Sequence, residues 1–335
     1  MAGGVVLLLV WLAAVRPAAP PAEAATPAPA VDTTTVAALS DRIAQDELLG
    51  SLSVLAHDSM EGRRTGTEGN ERARGYLLDR FDGLGLASVA GQRTQPFSFV
   101  SRRNQQEYEG LNIMGSVEGT THPDRYVVIT AHYDHLGMQD DEIFNGADDN
   151  ASGTAALLVL SEYFLENRPA NTLIFVALDA EEMGLQGARA FVADPPVPLE
   201  QVIMNVNLDM ISRSEVEELY AAGTYHYPFL TPLVEEVAAE APVNLLMGHD
   251  SPDLPPGDDW TMASDHGPFH EAGVPFIYFG VEDHPGYHHP SDTFENITPE
   301  FYVNAVETTL DFLLVVDREA EMILEARTQP SSTRL

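Results

Sequence analysis

His132 and Asp134 stand two residues apart at the end of the apolar run YVVITAHYDH. On an extended segment that spacing turns both side chains to one side. A metal-bound imidazole needs an acceptor for its second ring nitrogen, and Asp134 is placed to be that acceptor. A surface His–Asp pair is the alternative, but charges at the end of so apolar a strand demand partners. GADDNASG, residues 146–153, sets Asp148 and Asp149 just before a small, polar helix start. A carboxylate there can cap the helix, and it is equally positioned to bridge two cations. Glu181 and Glu182 close the run LIFVALDAEE, where adjacent carboxylates repel unless a cation lies between them or one is protonated. One of them can bind a metal while its neighbour, directed differently, acts as general base; acids collected at a helix N-terminus are the alternative. Asp209 follows the apolar VNL, and His288 and His289 are neighbours in YHHPSDT, with Asp292 four residues after the first. Spacing does not choose between these two histidines.

The chain has no cysteine, which removes disulfides, thiolate ligands and thiol nucleophiles together. Any metal must be held by His, Asp or Glu. Zinc bound by nitrogen and oxygen donors with an open position is catalytic in type. Two dications facing three carboxylates and a bridging hydroxide come close to neutral, and such a pair can activate the hydroxide and clamp a tetrahedral intermediate. Ser264, Asp265 and His266 are consecutive and so cannot converge as a nucleophile, base and orienter. No G-x-S-x-G elbow, phosphate loop or dinucleotide fingerprint is found.

The elements that must position these residues alternate strand and helix. Buried strands are expected at YVVITAHYDH, NTLIFVALDA, VIMNVNLDM and VPFIYFG, with shorter ones at residues 95–101, 108–117 and 217–222. Helices are expected over residues 68–84, 151–164, 182–192, 228–239 and 299–326, and Ile43, Leu48, Leu49, Leu52 and Leu55 mark the apolar face of an earlier one. The pattern predicts an α/β fold: three layers, α/β/α, around a mixed, mainly parallel sheet. Metal-capable residues recur where its strands run out, and in open α/β sheets ligand sites form at those carboxyl ends.

A net charge of -35 over 335 residues argues against nucleic acid and anionic membranes as partners, since both need a basic surface. All 17 basic residues are arginine, a bias read as adaptation of a solvated surface. MAGGVVLLLVWLAAV is short for a bilayer span and is followed by Ala-Glu-Ala at residues 22–24, so residues 1–25 are expected to be a signal peptide and residues 26–36 a disordered leader. An uncleaved anchor is the alternative. The remainder, residues 37–328, is expected to be a single domain without an insertion, secreted or periplasmic and without stable membrane insertion once the signal is cleaved.

Taken together, AHYDH, GADDNASG, ALDAEEMGLQGARAF, NLDM, SDHGPFHEAGVP and YHHPSDT resemble the zinc aminopeptidase family of the bacterial leucyl aminopeptidase type, which is related to glutamate carboxypeptidases, glutaminyl cyclases and the transferrin receptor ectodomain. The resemblance runs from about residue 59, with EGRRTGTEG as a frequent opening, to the last helix. It implies a zinc exopeptidase-like fold with two Zn2+ ions, one held by His132 and Asp209 and the other by Glu182 and His288. Asp149 would bridge them, Asp134 would support His132, and Glu181 would be the general base for a zinc-bridging water that attacks a peptide substrate. The family's His followed four residues later by Asp selects His288 over His289. The Asp149–Asn150 peptide is expected to be cis. The oxyanion-stabilising Tyr that some members place before Ser-Asp-His is missing from WTMASDH, where Trp260 and Thr261 stand nearby, and Tyr287 is the candidate substitute. Removal of N-terminal residues is the activity expected. Glutaminyl cyclase-like transfer, dipeptidase or carboxypeptidase action and a non-catalytic receptor-like role are the alternatives. Both aspartates of the double-aspartate pattern and every expected ligand are present, which favours the dizinc peptidase.

Overall fold

The computed structural model describes residues 42–255 and 257–328, so the expected signal peptide and leader lie outside the described residues. Two helices open the fold, α1 (Gln45–Leu55) and α2 (Glu68–Leu84). Thr67 caps α2 by accepting the Asn70 N–H at 3.3 Å, and Gly85 ends it in the left-handed conformation that glycine adopts without a side-chain clash. Strands β1 (Thr94–Val100), β2 (Glu107–Val117) and β3 (His122–His132) follow, then the hairpin β4 (Gly137–Gln139) and β5 (Glu142–Phe144). Next come α3 (Gly153–Glu166), β6 (Asn171–Leu178), α4 (Gln186–Ala193), β7 (Val202–Leu208), β8 (Glu218–Ala222), α5 (Thr231–Ala238) and β9 (Asn244–Met247). The chain continues through α6 (His266–Glu271), β10 (Phe276–Gly280), α7 (Pro299–Arg318) and α8 (Ala320–Thr328).

Eight strands form one sheet in the order β1-β2-β6-β3-β7-β10-β8-β9. The inner four, β6, β3, β7 and β10, are mutually parallel, and β8 and β9 pair in parallel at one edge. The β1–β2, β2–β6 and β10–β8 pairings are antiparallel. Every residue of β6 and β7 is buried, as a strand covered on both faces must be. Alternation assigns the faces: Leu173, Phe175 and Ala177 join the core with α1, α3 and α7, while Ile174, Val176 and Leu178 join the core with α4 and α6. Register aligns His132, the last residue of β3, with Leu178, the last of β6, and places Asp209 directly after β7. The sheet therefore delivers its polar strand ends to one rim.

Several elements differ from the sequence expectation. Strand β3 stops at His132, so Asp134 lies beyond the extended segment on which its spacing was reasoned. The helix expected from residue 182 starts at Gln186, because residues 180–185 turn back with positive φ at Ala180, Gly184 and Leu185. The helix expected from residue 151 starts at Gly153, after a turn containing the cis Asp149–Asn150 bond. The final helix divides at Glu319, whose ψ of 13° leaves the helical range.

Candidate metal centre

At the carboxyl rim, His132 Nε2 lies 3.3 Å from Asp209 Oδ1 and 3.4 Å from Asp149 Oδ1. His288 Nε2 lies 3.1 Å from Asp149 Oδ2 and 3.5 Å from Glu182 Oε1. Asp149 thus turns one carboxylate oxygen toward each histidine. Glu181 joins the first group: its carboxylate, His132 and Asp209 offer atoms all within 4.8 Å of one another. His289 is exposed and makes no contact with these carboxylates.

Each side chain is aimed by a bond beneath it. His132 Nδ1 donates to the Asp134 backbone carbonyl at 3.0 Å, which leaves the Nε2 lone pair facing the carboxylates. The Asp134 carboxylate is farther from that nitrogen, at 3.7 Å. It instead accepts the backbone N–H of Glu181 at 3.0 Å and of Glu182 at 3.3 Å. Asp134 thus meets the histidine most closely through its main chain and the two glutamates through its side chain. Asp209 accepts the Ser264 hydroxyl at 2.6 Å, and Ser264 accepts Asn207 Nδ2–H at 2.9 Å. Asp148 faces away from the cluster, taking the Ser212 N–H and hydroxyl at 2.7 and 2.8 Å and His284 Nε2–H at 3.1 Å. Below them all lies Arg63, fully buried, whose guanidinium donates to the carbonyls of Leu55, Tyr133, Asn145 and Gly146.

Electrostatics separates the carboxylates. Burial acts to raise Asp149, but His135, His132 and His288 outweigh it and hold this carboxyl well below its usual range. Glu181 goes the other way: desolvation, opposed by His132 but reinforced by Glu182, Asp265 and Asp209, lifts it well above the usual value. A carboxylate that retains affinity for a proton beside a metal-ligand set suits a general base.

The donor set fits zinc, being nitrogen and oxygen only, and Glu182 Oε1 and both His135 nitrogens are buried with no hydrogen-bond partner. A cleft of about 570 Å³ opens over the cluster, with Met183, Leu185, Trp260, Met262, Tyr278 and Tyr287 among its walls. Tyr287 stacks on His288 with ring centroids 3.9 Å apart. The Thr261 hydroxyl is occupied elsewhere, bonding Asp259 at 2.5 Å and His226 at 2.9 Å.

Three contributors escaped the sequence reasoning. His135 escaped because the spacing argument carried the strand too far. Arg63 stands in EGRRTGTEG, but nothing local signals four carbonyl acceptors. Asp292, noted only for its distance from His288, accepts the N–H groups of Asp148 and Asp149.

The family profile described as Peptidase family M28 matches residues 112–313. Aminopeptidase YwaD of Bacillus subtilis is 35% identical over 204 residues, covering 56% of this chain. The chain spans only 41% of that relative's length. Among solved structures, the zinc aminopeptidase BSAP from Bacillus subtilis superposes with a TM-score of 0.66 at 18% identity, over 80% of this chain and 94% of that one. A glutaminyl cyclase from Bacteroides thetaiotaomicron, bound to N-acetylhistamine, superposes with a TM-score of 0.67 at 18% identity, over 81% and 98%. At such identity the two superpositions establish a common fold.

Proposed function

This chain belongs to peptidase family M28, and on that premise we propose that it is a zinc-dependent aminopeptidase with two zinc ions, removing N-terminal residues from peptides. The observation that carries the reading is Asp149, whose two oxygens face two different histidines 3.4 and 3.1 Å away, each histidine with its own further carboxylate. His132 and Asp209 would hold one ion, Glu182 and His288 the other, with Asp149 between them. Bound there, the ions would supply Lewis acidity toward the scissile carbonyl and toward water.

The chain's own residues do the rest. Glu181 takes the proton of the attacking water and returns it to the leaving amine. Asp134 fixes the backbone on which Glu181 and Glu182 stand. Tyr287, on the cleft wall against His288, would donate to the developing oxyanion. An acidic floor suits a peptide whose free amino terminus is cationic.

Residues 37–328 would act as one domain. Export is part of the same proposal, on the strength of the apolar N-terminal run and the Ala-Glu-Ala that follows it. Among the described residues no helix is long and apolar enough to cross a membrane. The test is a substrate profile of the zinc-loaded protein: unblocked aminoacyl anilides and peptides should be cleaved and their N-acetylated counterparts spared. Absence of cleavage of any unblocked substrate, or equal cleavage of both, overturns the aminopeptidase reading. Cyclisation of N-terminal glutamine without hydrolysis would replace it with transfer on the same scaffold.

A further inference from the structure

His135 is 1% exposed and lies three residues past the end of β3. Its Nδ1 is 2.8 Å from Glu182 Oε1 and 3.7 Å from Asp149 Oδ2. Beyond that ion-pair contact, neither ring nitrogen nor Glu182 Oε1 has a hydrogen-bond partner. An imidazole buried with both nitrogens unsatisfied is costly. A cation shared by the nitrogen and the two oxygens relieves that cost, and the three side chains offer atoms all within 4.8 Å of one another.

The ring is also slotted in place. Gly146 adopts φ +57°, and a β-carbon there would collide with the His135 ring, so the loop approaches closely only because the position carries no side chain. His288 approaches the same two oxygens, Asp149 Oδ2 and Glu182 Oε1, at 3.1 and 3.5 Å. The two imidazoles flank one pair of carboxylates, with ring centroids 5.9 Å apart.

We propose that His135 is a ligand of the second ion, alongside Asp149, Glu182 and His288, so that the two metal positions are unequal. The inference rests on the two-ion reading above. With His135 the second position would gain a further protein donor, giving it two nitrogens and two oxygens against the three donors of the first, His132, Asp209 and one oxygen of Asp149. The second ion would therefore be the more firmly held and the first would exchange more readily.

The experiment compares the full zinc-loaded protein, His135→Phe, His135→Gln and the exposed control His289→Ala. Zinc per chain is measured after equilibration with graded chelator, and imidazoles per zinc are counted by X-ray absorption. The expected result is stepwise release by the unaltered protein and by His289→Ala, with one ion retained where the other is lost. Both His135 variants should lose the retained ion at chelator activities about 10- to 100-fold lower, and the count should fall from three imidazoles over two ions to two. Should one variant fail to fold, the other carries the comparison. Unchanged release in the variants overturns the proposal. So does weakened binding with an unchanged imidazole count, which would make His135 a positioning residue for Glu182. An unaltered protein that binds a single ion overturns the two-ion reading instead; the His135 assignment is then decided by whether that ion loses an imidazole in the variants.

Discussion

The Asp292 carboxylate accepts the backbone N–H of Asp149 at 3.0 Å, and its other oxygen accepts that of Asp148 at 2.9 Å. One short segment therefore grips Asp149 twice, through the His288 imidazole at the side chain and Asp292 at the main chain. The spacing of four residues between them has this mechanical meaning. Asp292→Ala should leave the secondary structure intact and weaken zinc binding by about 10- to 100-fold, as loss of a ligand's support does. Competition with a zinc-chelating dye checks it, and unaltered affinity would sink the idea.

Glu181→Gln preserves shape and removes the proton acceptor. Turnover of an unblocked peptide should fall by about 10²- to 10⁴-fold while the zinc content stays that of the unaltered protein. Activity retained within a few-fold in the metal-loaded variant would remove Glu181 from the role of base.

His288 and His289 are adjacent, yet only His288 faces carboxylates. His288→Ala should lower both zinc content and activity, and His289→Ala should change neither. Equal effects from the two substitutions, by metal analysis and rate, would contradict the assignment.

Arg63 reaches no carboxylate by hydrogen bond, and its N–H groups satisfy four backbone carbonyls instead. Arg63→Met leaves those acceptors dry, at about 1–3 kcal/mol for each that finds no water. Urea unfolding should show a loss above about 3 kcal/mol, beyond what a surface arginine gives. A loss under about 1 kcal/mol would mean that water replaces the guanidinium.

His266 supplies the pH dependence. Burial lowers its pKa to about 3, with Nε2–H donating to the Trp260 carbonyl at 2.8 Å. The unfolded chain takes up the proton near pH 6.5, so this group's stabilisation is complete above that value and is lost as pH falls from about 6.5 toward 3. By pH 5 the loss is about 2 kcal/mol. Unfolding midpoints of His266→Phe should depend less steeply on pH between 7.5 and 5 than those of the unaltered protein; parallel curves would count against it.

The architecture was legible because the inner strands are continuous apolar runs that end in polar residues, a pattern that only a sheet covered on both faces produces. Asp148 and Asp149 show where legibility stopped. They are chemically alike and adjacent, but Ser212 and His284 claim the oxygens of the first, while the second faces two histidines. Ser212 and His284 lie 64 and 136 residues from Asp148 in sequence, beyond the reach of any local pattern. The start of α4 was misplaced for a local reason: Ala180 and Leu185 adopt positive φ, a conformation that their residue types do not advertise. His135 was hidden by the same kind of event, a chain that leaves the strand at His132 and carries the next histidine back toward the carboxylates.

The clamp at Arg63 also says where this protein can be lengthened. Its guanidinium holds the carbonyl of Tyr133 before the β4–β5 hairpin and that of Asn145 after it, so both feet of the hairpin are fixed whatever lies between them. The tip, at Asp140 and Asp141, is exposed. Doubling the length of such a closed loop costs only about 0.6 kcal/mol. A fluorophore or small folded module grafted there should leave zinc content and turnover as they were.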